Sequence, residues 1–331
     1  MQIRVIRGLF FPMYIELHAR SAFSFLEGAS LPEDLIATCA NLNMSAMALL
    51  DRDGVYGSPR FHMAAKKAKL KAHIGAEISC ELFSPQRHPS ATLRAGSVPE
   101  KIGRGFTRIN ADQFNNPKHT KNSSVSQRSR GEFRLPLLVS SRVGYQNLCR
   151  LITKMKLRAA KEEGIACKEE LQEHSAGLIC MTGGDEGPLA IALADGGLEA
   201  ARDCVEKLGR IFGQNHVYVE LQRHFHREQE ARNRAAIEIA RSLHLPLLAT
   251  NGVCHATARE RELCDVFTAI RHHRTLATAG RLLARNSERY LKSPQEMQAL
   301  FADLPEAIAN TVELSSRLEF TLKDLGYEFP K

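Results

Sequence analysis

The sequence has no apolar run approaching the roughly 18–20 residues that span a bilayer, so a membrane helix is excluded as an organising element. Its start carries a short Leu9-Phe10-Phe11 patch but lacks the apolar stretch of about 7–15 residues that marks a signal peptide. Strand-like sequence begins at Tyr14, which makes Met13 a candidate start and residues 1–13 a tail. The eight cysteines form no Cys-x-x-Cys pair, and several fall within apolar helix or strand patterns. This usage predicts buried free thiols in a reducing cytoplasm rather than a disulfide framework. No lysine of a phosphate loop follows Gly183-Gly184, which reads as a tight turn, and there are no internal repeats.

What is present suits a globular chain. The 331 residues are 44% hydrophobic and 25% charged, enough for one large α/β domain with a smaller appendage. The net charge of +8 is concentrated, with nine Lys or Arg against three Asp or Glu between residues 84 and 133. That tract is rich in Ser, Asn and Pro and poor in large apolar residues, so residues 84–132 read as a flexible basic insertion inside a domain. It could contact phosphates without sequence preference, but it lacks the aromatic interleaving of a base-stacking surface and reads first as a solvated loop. Arg271-His272-His273-Arg274 reads likewise as a solvated basic helix end, and His62 and His73 as ordinary packed or surface histidines.

Strand-like runs at 14–18, 46–50, 71–75, 135–140, 177–182, 216–222 and 246–251 alternate with helical patterns at 31–42, 59–70, 144–160, 187–212 and 227–243. Residues 78–83 form a further edge-strand candidate. Helix starts are signed by Ser30 with Glu33, by Ser58-Pro59, and by Ser293-Pro294 with Glu296. Beyond residue 258 the pattern turns helical at 259–270, 294–301 and 304–318. Seven strands alternating with helices predict a parallel, seven-stranded (β/α) barrel in which the loops after the strand ends build the site. His18, Asp51, Glu77, His224 and Asn251 all fall at or just after such ends.

Two segments carry a resemblance. Residues 16–28 include His18-Ala19-Arg20 and residues 46–57 include Asp51-Arg52. They resemble the opening segments of polymerase-and-histidinol-phosphatase (PHP) domains, where active members have His-x-His and Asp-His. Further stretches, LLVSSRVGYQNLCRLIT, GLICMTGGDEGPL, VELQRH, LATNGV, NSERYLKSPQEMQALF and LEFTLKDLGYEFP, follow in the order seen in the N-terminal region of the C-family DNA polymerase III alpha subunits, above all the error-prone group. The resemblance implies a distorted PHP-type barrel over 14–258 and a mostly helical segment over 259–331 leading toward a polymerase palm. It implies metal positions at His18, Asp51, Glu77 and His224, with Arg20, Arg52, Gly252 and Cys254 standing where further ligands belong. Neutral imidazole offers a lone pair to a metal, whereas guanidinium offers only N–H donors. Cys254 as a thiolate, or the adjacent His255, would not restore the usual geometry.

The expected role is therefore largely structural: an eroded PHP portion of an error-prone polymerase serving replication or translesion repair. Residual Zn or Mn is the only expected metal in the barrel, and Mg belongs to the palm of a full-length polymerase. The palm aspartates of the family are expected beyond Lys331, so this chain alone is not expected to synthesise DNA. Expected partners are the remainder of the polymerase, DNA, the sliding clamp and mutasome proteins. Two alternatives stand beside this reading: a stand-alone PHP metal-dependent phosphoesterase or 3′–5′ exonuclease, and a nucleic-acid-binding module.

Overall fold

The computed structural model describes residues 13–81, 132–160 and 164–325; the readings of the N-terminal tail and of the basic insertion up to residue 131 lie outside the described residues. In chain order the elements are α1 Pro32–Asn41, β1 Ala46–Arg52, α2 Ser58–Ala68, β2 Lys71–Glu81, β3 Glu132–Val139, α3 Arg142–Arg158, β4 Ala166–Cys167, α4 Lys168–Glu173 and β5 Leu178–Met181. They continue as α5 Pro188–Phe212, β6 Val217–Leu221, α6 Arg227–Leu243, β7 Leu247–Ala249, α7 Arg261–Arg271, α8 Leu276–Ala279, α9 Pro294–Leu300 and α10 Pro305–Arg317. Among the described residues, no helix is long and apolar enough to cross a membrane.

The sheet runs β1-β2-β3-β5-β6-β7, with the short β4 pairing to β2. It is not all-parallel as predicted: β3 is antiparallel to both β2 and β5. Antiparallel neighbours need no crossover helix, and the sequence between β2 and β3 has no helical pattern to supply one. The strand runs 71–75 and 78–83 merge into the single β2. Gly75 allows this at mid-strand, because a Cβ there would lie 2.3 Å from the Leu137 carbonyl oxygen. Residues 14–18 do not form a ladder. Isolated parallel bridges stand there instead, Glu16 with Met47 and, just beyond, Ala19 with Val253. Backbone bonds from Leu50 N to Ala19 O (2.7 Å) and from Val253 N to His18 O (2.9 Å) thus link β1 to the segment after β7. The sheet curls into a distorted barrel joined through this segment.

Alternation along the strands sorts the core. In β1, Met47 and Leu49 join Leu35, Phe61, Leu148, Val205 and Ile239 of the surrounding helices. The opposite face sends Ala46, Ala48 and Leu50 inward to Leu138, Ile179, Met181, Tyr218 and Leu248. Leu314 and Leu318 join this inner cluster, so α10 plugs one end of the barrel. Its attachment is also polar: Thr311 Oγ1 accepts from Ile15 N at 3.2 Å, and Asn310 Nδ2 donates to Leu247 O at 2.7 Å.

The helix starts depart from their signals in two places. Ser293 caps α9 in a capping box with Glu296 as expected. Helix α1 begins at Pro32 with Leu31 as its cap, and the Ser30 hydroxyl instead accepts from Ala256 N at 2.6 Å. Ser58 is the first residue of α2, after Gly57, rather than its cap. Helix α5 is broken at Gly197, whose φ of 75° leaves the helical region.

If α10 is an integral plug, Leu314→Ala should cost about 2–5 kcal/mol of unfolding free energy in urea, as for any large core truncation. Truncating the exposed Leu276 should change stability by no more than about 0.5 kcal/mol.

Candidate metal centre

The same alternation aims the polar residues. Glu77 on β2, Arg134 on β3 and Glu220 on β6 lie on the face opposite their helix-packed neighbours Ala76, Leu135 and Val219. Asp51 falls in phase with Met47 and Leu49, away from that inner face. The barrel interior therefore changes from aliphatic near α10 to ionised at the other end, and both Glu77 and Glu220 are buried.

His18 stands between these two carboxylates. Its Nδ1 lies 2.7 Å from Glu220 Oε1 and its Nε2 2.9 Å from Glu77 Oε1. Both ring nitrogens face carboxylate oxygens, an arrangement that favours the imidazolium form. Burial opposes this charge, but Glu220 and then Glu77 overcome it and hold the ring's pKa up at about 10. Burial likewise works to raise Glu77, yet Arg20 and His18 hold it well below the usual carboxylate range. Glu220 is lowered despite burial by His18, by the Thr250 hydroxyl at 2.5 Å and by the Gln222 amide at 2.7 Å. Nearby Glu16 accepts from Tyr14 Oη, His18 N and Asn251 N, and burial pushes it up to about 7.

The arginines complete the array. Arg20 Nη2 donates to Glu77 Oε1 at 2.9 Å and lies 2.8 Å from Oε2. Arg52 does not turn to Asp51; its Nη1 lies 2.6 Å from Glu27 Oε1. Arg134 grips the same carboxylate with both Nη atoms, at 2.9 and 3.2 Å, and Arg20 Nη1 reaches it at 3.4 Å. Arg271 is no free helix end, because its Nη1 lies 3.3 Å from Glu27 Oε1. Burial would raise the Glu27 carboxyl, but Arg134, Arg20, Arg52 and Arg271 hold it down at about 2.

The remaining expected ligand positions are occupied otherwise. Asp51 accepts from Ser21 N at 2.8 Å and from the Ser21 and Ser24 hydroxyls at 2.9 Å each, which pins the loop after His18. His224 Nε2 donates to Asn251 O at 2.9 Å while its Nδ1 accepts from Gln229 Nε2 at 2.9 Å. Burial keeps this ring neutral, down at about 3. Gly252 has φ of 53°, and a Cβ there would lie 2.6 Å from the Gln222 amide nitrogen, so Gln222 fills the space of a ligand side chain. Cys254 is buried, with Arg289 Nη1 4.0 Å from its Sγ, and His255 Nδ1 bonds Thr257 O at 2.9 Å. His73, also buried, pairs with the Ser315 hydroxyl at 2.7 Å. Structure thus unites His18 with Glu77 but holds Asp51 and His224 in separate hydrogen-bond networks. Among the described residues no group of three His, Cys, Asp or Glu side chains is arranged to hold a metal ion. The donor set does not fit one: Arg20 occupies Glu77, Asp51 and His224 are committed elsewhere, and Gln222 fills the space above Gly252.

These features have a family setting. The PHP domain family model matches residues 16–224, and the chain belongs to that family. An error-prone DNA polymerase of Anaeromyxobacter dehalogenans is 34% identical over 324 residues, covering 96% of this chain and 24% of the relative. A DNA polymerase III subunit alpha of Vibrio cholerae is 31% identical over 320 residues, again covering 96% of this chain and 24% of the relative. The chain thus spans about a quarter of the length of these relatives. A solved amidohydrolase from Chromobacterium violaceum aligns over 73% of this chain and 88% of its own, at 12% identity and a TM-score of 0.44.

Sequence reasoning does not single out Glu27, Arg134 or Glu220. Glu27 lies inside the first family segment and Glu220 inside VELQRH, so the usable signal was strand phase: both Glu220 and Arg134 alternate with aliphatic residues of the outer face.

The charge state has a pH consequence. His18 is raised in the folded state above its ordinary value of 6.5, so its contribution is complete below 6.5 and is lost as pH rises through about 10. Glu27 is depressed below 4.5, so its contribution is complete above 4.5 and is lost as pH falls through about 2. Nitrogen-resolved NMR should find both His18 ring nitrogens protonated at a pH about one unit above the free-histidine value. A neutral tautomer under those conditions would refute the assignment.

Proposed function

We propose that this chain serves as the N-terminal PHP portion of an error-prone DNA polymerase of the DNA polymerase III alpha type, and that it braces the polymerase rather than hydrolysing phosphoesters. The observation that carries this reading is the His18–Glu77–Arg20 array. Two fixed cations of the chain supply the positive charge that the buried carboxylates require. The family match and the two polymerase relatives support the parent context.

In this reading the residual positions His18, Asp51, Glu77 and His224 are structural, and neither Zn nor Mn is needed to hold the barrel. Mg belongs to nucleotidyl transfer in a complete polymerase. The partners are the rest of that polymerase and, through it, DNA, the sliding clamp and mutasome proteins, all in the cytoplasm.

The test pairs metal analysis with stability. Purified protein offered Mn or Zn should retain no stoichiometric metal and hydrolyse no phosphodiester, and chelator should leave its unfolding curve in place. Arg20→Ala, which removes one of the two cations paired with Glu77, should by contrast cost about 1.5–3 kcal/mol. Stoichiometric metal with turnover abolished by Glu77→Ala would overturn the bracing role.

A further inference from the structure

The Glu27 side chain is 4% exposed, yet four guanidinium groups from four parts of the chain converge on its two oxygens. Arg20 lies within the first family segment, Arg52 ends β1, Arg134 lies on β3 and Arg271 ends α7. One carboxylate offers about four lone-pair sites, while each guanidinium carries five N–H donors. The mismatch is visible in Arg271, whose Nε is buried without a hydrogen-bond partner. Other acids share these guanidinium groups from the sides. Glu186 lies 3.7 Å from Arg20 and 3.5 Å from Arg134, and Asp53 lies 3.4 Å from Arg52. Glu77 shares its charge between Arg20 and His18.

Access is built in on one side. The Arg52 and Arg271 side chains are 38% and 34% exposed, whereas those of Arg20 and Arg134 are 10% and 5% exposed. Glu27 arrives on the turn-rich loop between Arg20 and α1, whose Phe25 is 79% exposed and whose Leu26 adopts φ of 59°. The carboxylate is therefore carried by a surface loop, not by the barrel wall.

We propose that Arg20, Arg52, Arg134 and Arg271 form a seat for a phosphate group, and that Glu27 is a tethered carboxylate plugging it. A guanidinium fork matches phosphate oxygens in pairs, and phosphate offers more acceptor oxygens than a carboxylate to a four-arginine cage. Because Glu27 is part of the chain, it competes at high effective concentration, and a phosphate enters only by displacing the loop. Arg271 couples the seat to α7, so occupancy also bears on how that helix is held against the barrel. This goes beyond the bracing role, and metal content does not decide it.

The test uses the full chain with Glu27→Gln, which keeps side-chain shape and removes the charge. Melting is followed in chloride and in inorganic phosphate at matched ionic strength. At about 10 mM phosphate the Glu27→Gln melting temperature should rise saturably by several degrees, while the wild type moves much less. Adding Arg271→Gln to Glu27→Gln should abolish most of that rise. If Glu27→Gln folds only when phosphate is present during refolding, that rescue supports the seat equally. A single-stranded oligonucleotide with a 5′-phosphate, compared with the same strand lacking it, tells whether a terminal monoester or internal diesters are the better occupant. A folded Glu27→Gln protein indifferent to phosphate, a rise that persists without Arg271, or failure to fold in either salt would overturn the proposal.

Discussion

A carboxylate inside a barrel cannot keep its charge without a partner, because transfer from water costs several kcal/mol per ion even after the protein relaxes. Glu77 and Glu220 face this constraint together, and His18 is the group that meets it for both. Each of its ring nitrogens is committed to one of them, and Arg20 takes the remaining approach to Glu77. The array is a poor source of net stability in itself, since an apolar core of the same volume would serve about as well. Its importance lies in how much else is placed by it. Arg20 links Glu77 to Glu27, and Glu27 links the loop between His18 and α1 to β1, β3 and α7.

The barrel is consequently asymmetric along its axis. Near α10 the interior is aliphatic, and Leu314 and Leu318 close it by ordinary packing. Toward the other end the inner face passes from Leu50, Leu138 and Tyr218 to Arg52, Arg134 and Glu220, so order there depends on charge pairing. Loops supply what strands cannot: Asp51, directed away from the interior, fixes Ser21 and Ser24, and this fastens the loop that presents Glu27. The expected second-segment ligand thus works on loop geometry. That outcome follows from strand period, because adjacent residues such as Asp51 and Arg52 cannot share one face of a sheet.

Much of the fold was legible locally. Helix α6 over Arg227–Leu243 matches its amphipathic pattern residue for residue, and Ser293 with Glu296 caps α9 as its chemistry predicts. The family segments were equally legible, since they are short, ordered and residue-specific. What escaped was non-local. The reversal of β3 is a property of sheet pairing, not of the strand's own sequence. The charge on His18 depends on Glu220, 202 residues away, and no spacing rule within the first segment reveals it. Ser30 failed as a cap because Ala256, far along the chain, offered its hydroxyl a backbone donor. The hub at Glu27 needed four separate elements to be placed before it existed.

These dependencies make cationic side chains and a divalent cation competitors for the same carboxylates. A divalent cation placed between Glu77 and Glu220 would meet the imidazolium of His18 and the guanidinium of Arg20 at a few ångströms, where like charges repel strongly in a weakly polar interior. His18 would have to lose its proton, which the two carboxylates oppose until the cation itself displaces it. Exchanging Arg20 alone for a neutral ligand would not suffice, because Arg134 and Arg52 would still face Glu27 beside the site and Gln222 would still occupy the space above Gly252. Occupancy of this site is therefore a matter of coupled charges rather than of independent positions. The buried carboxylates meet their charge within the chain, Glu77 through His18 and Arg20 and Glu27 through four arginines.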